Sequence, residues 1–255
     1  MSFKVTKYGW VRDLPDQRDH FYAAPPVNLT ALPPLVDLSG KCPAIYDQGQ
    51  LGSCTANGIA GAIQFERMRQ ALSPNFVPSR LFIYYNERVI EHTVNTDSGA
   101  QIRDGIKSVA KQGDCPETDW AYDPAKFAVK PSALCYTEAV KYRAVQYQRV
   151  VQNVNQMKGC LASGFPFVFG FTVYDSFESN AVAGTGVVPM PQPSEQVVGG
   201  HCVDAVGYDD SQQRFLVRNS WGTGWGMKGY CTMPYAYLTD PNLASDFWTI
   251  RLVAA

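Results

Sequence analysis

Three short stretches, far apart in a chain of 255 residues, hold side chains that together could do acyl-transfer chemistry: a cysteine in QGQLGSCTAN, a histidine in GGHCV and an asparagine in NSWGTGWGMKGY. A free cysteine taken alone is most often a small buried hydrophobe, so Cys54 needs a base before it reads as a nucleophile. The chain offers three histidines, His20, His92 and His201. His20 falls in an irregular N-terminal stretch, and His92 ends RVIEH, where an imidazole suits a helix C-terminus. His201 follows Gly199-Gly200 and opens a strand-like run, an arrangement that lets other backbone come close to the ring. Eighteen residues later RFLVRN delivers Asn219, whose amide oxygen can accept the ring N–H and fix the tautomer.

The elements that must bring these residues together are legible in outline. After Cys54, the residues Ala56, Ile59, Ala60 and Ile63 share one face of a helix that Ser73-Pro74 stops, which places the thiol near a helix N-terminus. PSRLFIYYNERVIEH and AQIRDGIKSVAKQG, the latter ending at Gly113, predict two more helices, so Pro43 to about Cys135 reads as helical. From about Tyr142 the texture changes to YRAVQYQRVV, FPFVFGFTVY, HCVDAVGYDD, QRFLVRNSWG and GYCTMP, which predict strands of an antiparallel sheet. VNQMKGCLASG interrupts them as one helix, and FESNAVAGTGVVPMPQPSEQVVGG reads as a long connection. Helices followed by strands predict an α+β protein of two lobes with a cleft between them. The first 32 or so residues show no sustained period. Tyr8, Trp10, Phe21 and Tyr22 are costly to leave in water, which predicts that this leader docks on the body.

Other functions are disfavoured by composition. The 22 basic and 23 acidic residues are scattered, with a net charge of −1, so no basic track exists for nucleic acid or an anionic membrane. No apolar run approaches the ~18 residues of a spanning helix, and the start lacks a signal-peptide core; the expected compartment is the cytosol by default, with non-classical export an alternative. The seven cysteines form no C-x-x-C, and H-E-x-x-H is missing, so neither a metal nor another cofactor is expected. Cys115 and Cys135 are read either as a disulfide or as a reduced buried pair. Asn28-Leu29-Thr30 is a formal glycosylation sequon given no weight without a secretion signal. GWGMKG fits G-x-G-x-x-G, but Tyr230-Cys231-Thr232-Met233 continues as a strand where a dinucleotide loop would open a helix.

QGQLGSC, GGHCV and NSWGTGWGMKGY resemble the three signature blocks of papain-like cysteine proteases, and the likeness runs from LPPLVDLSG to about Ile250. The 147 residues from Cys54 to His201 fall within the ~130–150 of that family. The resemblance implies the papain-like two-lobe fold and polypeptide substrates. It makes Cys54 the nucleophile, His201 the general base and acid, Asn219 the orienter of His201, and Gln48 a side-chain donor to the oxyanion beside the Cys54 amide. It also implies that Trp221 shields the His–Asn bond, that Ser98 and Gly99 pair with the substrate backbone, and that Gly200 and Cys202 border a substrate pocket together with residues near Tyr235 to Leu238. An imidazolium and a helix N-terminus are expected to bring the thiol from ~8.5 to ~4, roughly 6 kcal/mol in favour of the ion pair.

The chain departs from the family at several positions. Leu51 stands where secreted members carry a disulfide cysteine, and Thr55 replaces the usual aromatic after the nucleophile. The leader is too short to build the long helical propeptide of plant and lysosomal relatives. The expected organisation is a leader over residues 1–32, read as an intramolecular inhibitor, and a peptidase domain over 33–255, with a helical lobe at about 43–141 and a β-rich lobe at about 142–240. Two other readings stay open: a non-catalytic module on the same fold, and an acyl transferase or deamidase using the same three residues.

Overall fold

The computed structural model describes residues 5, 7–25 and 31–254; the sequon Asn28–Thr30 and the rest of the N-terminal stretch lie outside them. Its helical half begins with α1 (Cys54–Arg69), followed by α2 (Arg80–Ile90) and α3 (Ile102–Gln112). Ser79 caps α2 by accepting from the Phe82 amide, and Gly113, at φ 80°, ends α3 in a conformation that suits glycine. The apolar spacing of α1 predicts one buried face, yet every residue from Cys54 to Arg67 is buried. This helix is the central post between the two halves, so its polar side chains must find partners. Glu66 pairs with Arg69 at 2.6 Å, Arg67 donates to the Pro74 carbonyl at 2.7 Å, and the Arg67 guanidinium stacks on Phe76 at 4.2 Å.

The sheet joins β2 (Phe21–Tyr22), β5 (Ala144–Val150), β10 (Ala244–Val253), β6 (Phe167–Tyr174), β7 (Val197–Asp209), β8 (Arg214–Arg218) and β9 (Tyr230–Pro234) in that order, and β3 (Leu35–Asp37) pairs with β7. Antiparallel pairing dominates as expected, but β2 runs parallel to β5, which makes the sheet mixed. Short helices α4 (Ala133–Ala139), α5 (Val154–Ala162), α6 (Asn180–Thr185) and α7 (Tyr235–Thr239) fill the connections. GWGMKG leads into β9 and opens no helix. The architecture is an α+β fold of two halves, one helical and one β-rich, as the order of elements predicts.

Glycines set how closely α1 approaches β7. A Cβ at Gly58 would lie 3.3 Å from the Cys202 sulfur, and one at Gly61 would lie 2.7 Å from Arg218 Nη1 and 2.8 Å from Asp204 Oδ2. The buried Arg218–Asp204 pair, 3.5 Å apart, therefore spans β8 and β7 beneath α1 and ties the helical post to the sheet.

The N-terminal stretch docks in two parts. Tyr22 and Ala24 enter the core of the β-rich half, and β2 extends its sheet. Ahead of them, β1 (Trp10–Val11) pairs in parallel with β4 (Ala100–Gln101) on the helical half. Between the two, Asp13 and Asp19 meet Arg103 of α3 and Arg149 of β5; Asp19 lies 2.6 Å from Arg103 and 3.1 Å from Arg149. Cys115 and Cys135 are free buried thiols that touch within a small cluster with Phe82 and Ala139.

Candidate active site

Cys54 is the first residue of α1, where unpaired backbone N–H groups and the helix dipole favour negative charge. His201 comes from β7, opposite Phe171 of β6. Asn219 lies just past β8, which pairs with β7, so the strand register carries it back beside the histidine. His201 Nε2 and Asn219 Oδ1 are 2.8 Å apart. An amide oxygen can only accept, so the ring donates from Nε2, and Nδ1 is left as a bare lone pair with no partner among the described residues. Asn219 Oδ1 is itself held by the Ser220 amide at 2.8 Å. Trp221 covers the pair, its ring centroid 4.9 Å from that of His201, and Phe171 stands edge-on at 5.7 Å.

Gln48 reaches the same place from the helical half. Its amide oxygen accepts from Ser220 Oγ at 2.7 Å, its nitrogen donates to the Leu51 carbonyl at 3.0 Å, and its backbone N–H bonds the Ser220 carbonyl at 2.9 Å. The QGQLGSC and NSW blocks are thus stitched together across the lobes, with the Gln48 side chain fully buried. Tyr8 interacts with both His201 and Cys54, so the cysteine shares one cleft with His201, Asn219, Gln48 and Trp221.

That cleft is occupied by the chain's own N-terminus. Gly9 is so closely wedged that a Cβ there would sit 1.7 Å from the Gly52 carbonyl oxygen, and one at Gly99 would meet Gly9 O at 2.1 Å. Ala100 N donates to Gly9 O at 2.8 Å. On the opposite wall, a Cβ at Gly199 would strike Tyr8 at 2.7 Å, and one at Gly200 would lie 2.6 Å from Trp10 O. Of the residues read as substrate contacts, Gly99 and Gly200 therefore flank this strand, and Ser98 adjoins it through a 3.4 Å contact to Gly99 O. Cys202 is different: its side chain points under the sheet against Gly58 of α1. Tyr237 and Leu238 are packed in the β-rich core.

Burial under this strand changes the protonation expected from the sequence. Desolvation pushes the Cys54 thiol up to about 12, although the Cys202 and Gly9 backbone N–H groups favour its charged form. Desolvation also lowers His201 to about 4, against the opposing effect of Asn219. Both shifts favour the neutral thiol and the neutral imidazole in the covered site, because burial penalises each charged form.

Several contacts had no clear signal in the sequence. The Tyr8 hydroxyl donates to Glu178, and its ring stands 6.1 Å from His201. Trp10 lies against Gly170, and its indole N–H donates to Asp246 Oδ2 at 3.2 Å. Asp246 has a positive φ of 59° at a register break in β10, which turns its carboxylate toward the strand in the cleft. Nothing about an aspartate in LASDFW announces a left-handed backbone.

Comparison with known proteins agrees with the geometry. Residues 32–245 match the family described as Papain family cysteine protease. An uncharacterized peptidase C1-like protein of Acanthamoeba polyphaga mimivirus is 51% identical over 215 residues, which are 81% of this chain and 69% of that protein. Cathepsin B-like CP3 of Giardia intestinalis is 28% identical over 207 residues, 74% of this chain and 63% of its own length. The crystal structure of xylellain, a cysteine protease from Xylella fastidiosa, is similar with a TM-score of 0.91 and 47% identity over 98% of each chain. Digestive procathepsin L 3 of Tenebrio molitor shares the fold at 18% identity, with a TM-score of 0.71 over 94% of this chain and 75% of its own.

Proposed function

Because this chain belongs to the papain family of cysteine proteases, we propose that it cleaves polypeptides with Cys54 as nucleophile, His201 as base and acid and Asn219 as orienter, and that its N-terminal segment restrains it. The observation that carries this reading is the 2.8 Å contact of His201 Nε2 with Asn219 Oδ1, which leaves Nδ1 bare in the cleft that α1 opens with Cys54. Once the cleft is solvated, Nδ1 takes the thiol proton, and the thiolate attacks a peptide carbonyl. The Cys54 amide and the remaining Gln48 amide proton stabilise the oxyanion. The imidazolium then protonates the departing amine, and water, activated by the same nitrogen, releases the acyl group from sulfur.

In this reading residues 1–32 are the leader and 33–255 the peptidase domain, its helical lobe at about 43–141 and its β-rich lobe at about 142–240. Residues 7–12 act as a plug and residues 13–25 as a clamp. The plug uses the glycine-lined walls that a substrate backbone needs, so a substrate enters only when it leaves. The clamp shares the core, so deleting the whole leader would strip Tyr22 and Ala24 from it and leave Arg103 and Arg149 without two of their carboxylates. A point change in the plug is the cleaner probe. Hydrolysis of a fluorogenic peptide by the full chain should be low, should rise on Trp10→Ala, and should vanish in Trp10→Ala/Cys54→Ala. Cleavage that survives loss of Cys54 would reject the assignment.

A further inference from the structure

Directly behind the nucleophile lies a buried carboxyl group that the reaction above does not use. Glu87 of α2 and Thr55 of α1 are both fully buried, and the Thr55 hydroxyl donates to Glu87 Oε1 at 2.6 Å. The other carboxyl oxygen, Oε2, has no hydrogen-bond partner among the described residues. It points at Gly105 of α3, where a Cβ would lie 2.6 Å from Oε2 and 2.4 Å from Ile59 Cδ1. Three helices thus close on one carboxyl group, and a glycine makes room for it.

Among the described residues no cation pairs with Glu87. Arg88, next on the same helix, spends its guanidinium on the carbonyls of Tyr84, Val94, Thr96 and Phe127. The charged or titratable groups facing Glu87 are Glu91, Arg88 and Tyr84 on α2, Asp104 on α3, Cys54 on α1 and Cys202 on β7. Most of these are acidic, and a carboxylate here would lie close to the sulfur that must itself become negative.

We propose that Glu87 is a positioning residue for Cys54: through the Thr55 hydroxyl it pins the first turn of α1, so that the sulfur and the oxyanion-binding Cys54 amide keep their aim into the cleft. This rests on Cys54 being the nucleophile. It gives a local reason for the threonine at position 55, whose hydroxyl meets a buried acceptor there. Burial raises the Glu87 carboxyl well above its ordinary range, which favours the uncharged form, an acceptor for Thr55 that places no charge beneath the thiolate.

The test uses the full chain carrying Trp10→Ala, with Thr55→Val, Glu87→Leu and Glu87→Gln added singly. Peptide hydrolysis is read as kcat and KM, and Cys54 alkylation by iodoacetamide is followed against pH. Losing the bond should lower kcat and the alkylation rate roughly tenfold in Thr55→Val and Glu87→Leu, with KM within about twofold. Glu87→Gln, which keeps an acceptor oxygen and cannot ionise, should recover both rates to within about threefold and hold the alkylation rate to higher pH than the parent. Thermal stability that falls in Thr55→Val and Glu87→Leu while kcat and alkylation stay unchanged would overturn the proposal. A Trp10→Ala parent that cleaves no peptide would instead defeat the peptidase reading, and a slower alkylation in Thr55→Val would still support the positioning role.

Discussion

Replacing Trp10 by alanine in the full chain should convert a restrained enzyme into an active one. The indole is cradled against Gly170 and Gly200 and bonded to Asp246, and so ties the plug to the β-rich half. Truncating a fully buried tryptophan costs about 3–5 kcal/mol, and Trp10 is partly exposed, so about 3 kcal/mol is expected. Nearly all of that falls on the docked plug, because Tyr22 and the Asp13 and Asp19 contacts stay in place. At about 1.4 kcal/mol per factor of ten, the docking equilibrium moves by roughly 150-fold. If the plug is docked in all but a small fraction of molecules, the initial rate on a fluorogenic peptide rises by up to that factor. Trypsin cleavage after Lys7 and Arg12, which flank the plug, reports its release independently. Cleavage at those sites that becomes fast while hydrolysis stays within twofold of the parent would refute the restraint.

Three further outcomes follow from the same geometry. In the Trp10→Ala chain, His201→Ala should remove at least about 10³-fold of kcat, and Asn219→Ala, which frees the ring, at least about tenfold, both read from steady-state hydrolysis. Asp13 is raised to about 6 by burial and by the facing Asp246 carboxylate, against Trp248 and Arg103. Docking therefore favours its protonated form: the contribution is complete below the free carboxyl's range and is lost as pH rises through about 6. Hydrogen exchange in the clamp, residues 13–22, corrected for intrinsic rates, should accordingly speed up between pH 5 and 7. Asp204→Ala leaves Arg218 buried without its partner, a loss of about 3–5 kcal/mol that should lower the unfolding midpoint by roughly 10 °C in a thermal melt.

Much of this architecture was readable from residue order alone, and the exceptions have physical causes. Helix α1 was visible from its apolar spacing, but its full burial was not, because polar side chains such as Thr55, Asn57, Glu66 and Arg67 suggest contact with solvent until their partners fold over them. Cys54, His201 and Asn219 stood out because few residue types do this chemistry and only three histidines compete. The docking of the leader was predicted from its aromatics, yet its path was not, since β1 and β2 are two residues each and show no period. The neutral state of the covered thiol was missed for the same reason: it depends on a strand whose position only the fold reveals. Asp246 and Glu87 carried no motif, and both matter through a backbone turn or a helix contact that sequence spacing does not encode.

The most direct test of the account is covalent. The Trp10→Ala chain, exposed to a peptidyl epoxide and mapped by mass spectrometry, should carry one adduct, on Cys54, with none on Cys42, Cys115, Cys135, Cys160, Cys202 or Cys231. Labelling should be slow in the parent chain and nearly lost when His201→Ala is added. An adduct on another cysteine, or labelling of Cys54 that is indifferent to His201, would contradict the account.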